Sequence, residues 1–95
     1  MAVVVVENVL HPGRTYHVGA AKYAAMRAAM LRVLPADGPG LTPAEVVAAV
    51  RPHLPQDLFP GGRTAGWWVK TVQLDLEAKG LIRRADRPPV RLWRI

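Results

Sequence analysis

Gly66–Ile95, GWWVKTVQLDLEAKGLIRRADRPPVRLWRI, is the stretch that decides how this chain folds. At about 100° per residue, Ala65, Trp68, Val69, Val72 and Leu76 gather on one side, which predicts an amphipathic helix over residues 64–79. Gly80 supplies the left-handed stop that ends such a helix. Two short apolar-and-arginine strands follow, 81–85 and 90–95, around a turn at Pro88-Pro89. The helix therefore runs straight into a hairpin carrying Arg83, Arg84, Arg87, Arg91 and Arg94, with only Asp86 opposing them.

Working back from this unit, a second helix announces itself over residues 43–51. Thr42 stands as N-cap, Pro43 at the first helical position and Glu45 at the third, the pattern of a capping box. Its Val46, Val47 and Val50 face inward, and Pro52 stops it. A first helix is predicted over 20–34, because Tyr23, Met26, Met30 and Leu34 recur at three- and four-residue spacing among alanines. Pro35 ends it, and Asp37-Gly38-Pro39-Gly40 makes a short loop. The connection from Arg51 to Gly62 holds too many prolines and glycines for a long element. Leu54, Leu58 and Phe59 read as core anchors there, with a single helical turn between them. Residues 1–19 are extended: Val3–Val6 has the branched side chains of a strand, and His11-Pro12-Gly13 marks a turn, so a strand or hairpin is expected.

The 95 residues fit one domain over 1–95, 51% hydrophobic and 21% charged, a globular balance. With no cysteine there is no disulfide or thiolate-zinc staple, which suits a reducing, cytoplasmic setting. The Ala2–Val6 run is too short to span a bilayer and lacks the flanks of a signal peptide. Formal net charge is +6, unevenly placed. Residues 1–50 hold four basic groups against three acids, whereas residues 51–95 hold nine against four. An arginine-dense hairpin on a basic chain is the footprint of a polyanion binder, although basic residues also protect a sheet edge from aggregation.

The phrase Leu76-Glu77-Ala78-Lys79-Gly80-Leu81-Ile82-Arg83-Arg84, closing three helices with a hairpin, resembles the winged-helix superfamily from about Lys22 to Ile95. More narrowly, the chain is similar to a small bacterial family of uncharacterised single-domain proteins. The features that carry this are Glu7-Asn8-Val9 with Pro12-Gly13, Lys22-Tyr23 with Met26-Arg27, Leu41-Thr42, Leu58-Phe59-Pro60-Gly61-Gly62 and the segment Gly66–Glu77. The resemblance implies an α+β winged helix: three main helices, a C-terminal hairpin wing and an extra N-terminal strand or hairpin. It brings no activity to carry over. One departure stands out. A DNA-binding helix-turn-helix joins its second and third helices by about three to four residues. Here the connection, Arg51 to Thr64, is several times longer.

The outer face of the third helix would do any base reading. It supplies Lys70 and Thr71, with Arg63 at its start, but also Trp67 and Leu74, which water does not favour. Cover by the N-terminal strands or by a second copy accounts for that pair better than base contact does. Two functions are therefore carried forward. In one, the chain binds double-stranded DNA or another polyanion, with Arg83, Arg84, Arg87, Arg91 and Arg94 on phosphates and Lys70, Thr71 and Arg63 assisting. In the other, Trp67 and Leu74 form a protein-interaction or homodimer surface.

No catalytic constellation is legible. The carboxylates are scattered, and His11 and His17 lack a third ligand. Gly61-Gly62-Arg63-Thr64 lacks the phosphate-loop lysine and reads as an entry turn. Trp93 reads as a cross-strand residue. No enzyme activity, cofactor, metal, small-molecule substrate or membrane partner is expected.

Overall fold

The computed structural model describes residues 2–95. In chain order these form strands β1 (Val3–Glu7) and β2 (Thr15–Gly19), then helices α1 (Ala20–Val33) and α2 (Pro43–Val50). Two 3-10 turns follow, at Arg51–His53 and Pro60–Gly62, then helix α3 (Ala65–Ala78) and strands β3 (Ile82–Arg84) and β4 (Leu92–Arg94). The architecture is α+β, three helices with two separate antiparallel hairpins, β1–β2 and β3–β4. The N-terminal segment is thus a full hairpin rather than a lone strand.

The helices sit where their patterns place them because the caps are local chemistry. At α2, the Thr42 hydroxyl accepts from the Glu45 N–H (3.2 Å) while the Glu45 carboxylate accepts from the Thr42 N–H (2.9 Å). Two backbone donors at the helix end are satisfied reciprocally. Helix α3 begins one residue later than the hydrophobic pattern indicates, because Thr64 adopts a left-handed φ of 63°. It stops at Gly80, whose φ of +72° is readily reached only without a side chain.

One core joins every element. Tyr23, Met26, Met30 and Leu34 of the α1 stripe meet Val46 and Val50 of α2 and Ala65, Trp68, Val69, Val72 and Leu76 of α3. Val6 enters from β1, and Ile82 and Leu92 enter from the C-terminal hairpin. The proline-rich connection contributes Leu54 and Phe59, both buried, and Leu58 packs against them. Phe59 meets Trp68 edge-on at 6.4 Å between ring centroids. So the long link between α2 and α3 is held by two short turns and a packed aromatic rather than by one.

The C-terminal hairpin is tied to the helices through Leu41, which exchanges backbone hydrogen bonds with Leu92 (2.9 and 2.8 Å). That approach requires Gly40. Its φ is +83°, and a Cβ there would collide with the Leu92 backbone. No helix is long and apolar enough to cross a membrane, among the described residues.

Candidate functional site

The outer face of α3 is divided between cover and exposure. The pairing of β1 with β2 sets Val4 against Val18 and Val6 against Tyr16, placing these four on one face of the hairpin. That face turns toward the helices: Val6 is buried, and Val4 and Val18 are half-buried against the core. The turn then crosses α3, where the Val9 N–H donates to the Leu74 carbonyl at 3.3 Å. Leu74 is consequently only 8% exposed, while Trp67, two turns earlier on the same face, is 58% exposed. Of this pair, Leu74 is covered by the chain's own hairpin, and Trp67 is left uncovered by it.

Between the uncovered part of α3 and the β1–β2 hairpin lies an apolar groove of about 340 Å³. Val6, Glu7 and Asn8 of β1 and the turn after it, with Tyr16, His17 and Val18 of β2, border it on one side and Trp67, Thr71 and Leu74 of α3 on the other. The Trp67 indole is braced edge-on against the buried Trp68 at 5.1 Å, so it presents a supported ring rather than a loose one. Tyr16, 42% exposed, stands at the same groove. Lys70 is exposed one turn from Trp67, Thr71 is half-buried in the groove wall, and Arg63 is exposed before the helix.

What fixes the hairpin over α3 is a buried carboxylate. Asp75 is wholly buried and accepts from the Glu7 N–H at 2.8 Å, from the Tyr23 hydroxyl, and from Lys79 Nζ at 2.7–2.8 Å. It thereby joins β1, α1 and α3. Burial, then the hydrogen bond to Asp75, raise the Tyr23 pKa above its ordinary value. At Lys79 burial opposes the charge, but the Asp75 hydrogen bond and charge outweigh it, and the pKa is raised.

The five hairpin arginines are not equivalent. In the β3–β4 register Arg84 lies opposite Leu92 and Ile82 opposite Arg94, so these point to the core side. Arg84 forms a bidentate pair with Glu77 (2.6 and 2.9 Å), and Glu77 also accepts from Gln73 Nε2 at 3.0 Å. The hydrogen bonds to Glu77 raise the Arg84 pKa further. Arg94 Nε donates to the Leu34 carbonyl at 2.8 Å, closing the end of α1. Arg91 lies 3.8 Å from Glu45, an exposed and weak pairing. Of the five, only Arg83, on the outer face opposite Trp93, and Arg87, in the turn, have neither an ion pair nor a side-chain hydrogen bond among the described residues. The set of arginines facing solvent freely is thus narrower than the sequence indicates, because two of the five hold the hairpin in place. Trp93 lies across from Arg83 with its ring near Gly38.

Over residues 3–92 the chain matches a family described as a family of unknown function (DUF6958). It belongs to DUF6958. No curated protein and no solved structure matches it.

Two residues central to the DUF6958 chain's geometry escape sequence reasoning. Asp75 and Gln73 lie outside the apolar stripe that spacing picks out on α3, yet both are wholly buried. Asp75 finds partners 52 and 68 positions away, which no local pattern reveals. Its one signal is position, directly beside the core stripe at Leu76 and Val72. The glycine turn before α3 is internally satisfied: Gly61 N–H donates to Gln56 Oε1, Gly62 N–H to the Phe59 carbonyl and Arg63 N–H to the Pro60 carbonyl. Those amides are therefore not free to cradle an anion. Among the described residues, no three His, Asp or Glu side chains converge as a metal site would require.

Proposed function

We propose that this DUF6958 chain is a protein-interaction module whose contact site is the groove between the β1–β2 hairpin and α3, with Trp67 as its anchor. The observation that carries the reading is Trp67 itself, a tryptophan 58% exposed on a rigid helix, braced by Trp68 and beside an apolar groove. Large aromatic rings next to a pocket are the groups that dominate protein interfaces. The winged-helix resemblance fits the order of three helices followed by a hairpin. Base reading by α3 is disfavoured on this proposal, because the hairpin lies over Leu74 and the remaining face leads with Trp67. The module acts by binding and carries out no chemical step of its own.

A displayed library of peptides, panned on the full chain and counter-selected on Trp67→Ala, tests it. Enrichment of peptides that lose binding to Trp67→Ala is expected. Recovery of none beyond the counter-selected background, by a chain that also stays monomeric, contradicts it.

A second reading, polyanion binding, is favoured by one specific observation: Arg83 and Arg87 face solvent with no acidic partner among the described residues. It requires affinity for duplex DNA that falls steeply with salt, by a log–log slope of about −0.9 per phosphate neutralised. Fluorescence anisotropy of a labelled duplex with the chain and with the Arg83→Ala, Arg87→Ala double variant decides it. Absence of binding at low salt, or an unchanged affinity in the variant, excludes this reading.

A further inference from the structure

Beside the groove runs a feature that a helix or loop ligand would not need, the unpaired edge of a β-strand. Ala20 N–H donates to the Ala2 carbonyl at 3.1 Å, continuing the β1–β2 ladder. Antiparallel partners alternate between hydrogen-bonded and non-bonded pairs, so Val4–Val18 and Val6–Tyr16 are the bonded ones. The peptide groups of Thr15 and His17 then point away from β1, and no other backbone group meets them among the described residues. The corresponding edge of β1 is closed at one end, since the Glu7 N–H is held by Asp75 and the chain beyond it by Leu74. The edge of β2 is the open one, and Tyr16, His17 and Val18 of that strand are among the residues that line the groove.

Resting on the interaction reading above, we propose that the occupant is a second copy of this chain, which adds its β2 antiparallel to β2 across a twofold axis at His17. The two hairpins then form one four-stranded sheet, β1-β2-β2-β1. Tyr16 of each copy stands opposite Val18 of the other. Both lie on the sheet face that turns toward the helices, so each copy's Tyr16 and Val18 enter the other's groove against Trp67, Thr71 and Leu74. The interface is isologous, as twofold contacts are.

Charge favours this surface over any other for self-association. The chain carries +6, and copies repel one another through the arginine-rich C-terminal half. Through residue 19 it holds only Glu7 and Arg14, which cancel. The neutral hairpin is where two like-charged copies can approach. A foreign acidic partner would instead be drawn to the basic half, away from the groove. One strand pair and one filled groove per copy make a small interface, so the dimer dissociates on dilution.

Sedimentation equilibrium of the full chain from micromolar to millimolar concentration reads this directly. A mass that doubles with concentration is expected. Two variants should each abolish the rise while retaining a native circular-dichroism spectrum. His17→Pro removes an outward N–H at a position where an edge strand tolerates proline. Thr71→Arg leaves β2 intact and puts a cation in the groove. A dimer that survives His17→Pro but not Trp67→Ala overturns the strand pairing while upholding the Trp67 surface. A chain that stays monomeric yet yields Trp67-dependent peptides overturns the second copy and assigns the groove to a foreign segment. A monomer with no such peptides overturns both readings.

Discussion

Leu74 and Trp67 occupy the same face of α3, yet one is a core residue and the other is not. Removing them should differ accordingly. Leu74→Ala is expected to cost about 2–4 kcal/mol, because it opens a cavity beneath the hairpin. Trp67→Ala should cost about 1 kcal/mol or less, because more than half of the ring is already in water. Urea unfolding of the two variants measures the difference, and equal losses would mean that the face is not divided. Asp75 gives a sharper contrast. Asp75→Ala leaves the Glu7 N–H and the Tyr23 hydroxyl without an acceptor and should cost about 2–4 kcal/mol. The network also sets a pH dependence. Tyr23 and Lys79 both have raised pKa values in the folded chain. Their stabilisation is complete below the unfolded values near pH 10 and is lost as pH climbs through the folded ones. Alkaline unfolding followed by circular dichroism should be shallower in Tyr23→Phe, which has no hydroxyl to ionise. None of this is legible in sequence, because the partners of Asp75 come from two distant elements.

At the scale of elements, what could be read was what short-range chemistry determines. Thr42, Pro43 and Glu45 identify the start of α2 within three residues, and the structure closes that capping box. Thr42→Ala should lower stability by about 1 kcal/mol in thermal unfolding. The core stripes of α1 and α3 follow equally from spacing. The connection from Arg51 to Thr64 was legible only in its anchors, Leu54, Leu58 and Phe59. Its two 3-10 turns depend on backbone bonds such as Leu54 N–H to the Arg51 carbonyl and Arg63 N–H to the Pro60 carbonyl, which composition does not specify. The arginine hairpin was legible in charge but not in use. Arg84 and Arg94 are aimed inward by strand register, and Glu77 and the Leu34 carbonyl receive them. Their replacement should reduce stability, whereas Arg83→Ala and Arg87→Ala should leave it unchanged.

Taken whole, the molecule separates its two surface characters by position. The basic groups concentrate in residues 51–95, while the neutral hairpin of residues 2–19 lies over α3 and leaves a groove beside Trp67. A polyanion would be held at the first region and a protein surface at the second. On the proposed function, the second is the contact site. Amide and indole NMR of the full chain across a dilution series tests it most directly. The Trp67 indole and the amides of Thr15 through Val18 should shift progressively with concentration, while the amides of Arg83 and Arg87 stay in place. Groove signals that remain fixed at every concentration, with shifts confined to Arg83 and Arg87 when duplex DNA is added, would contradict it.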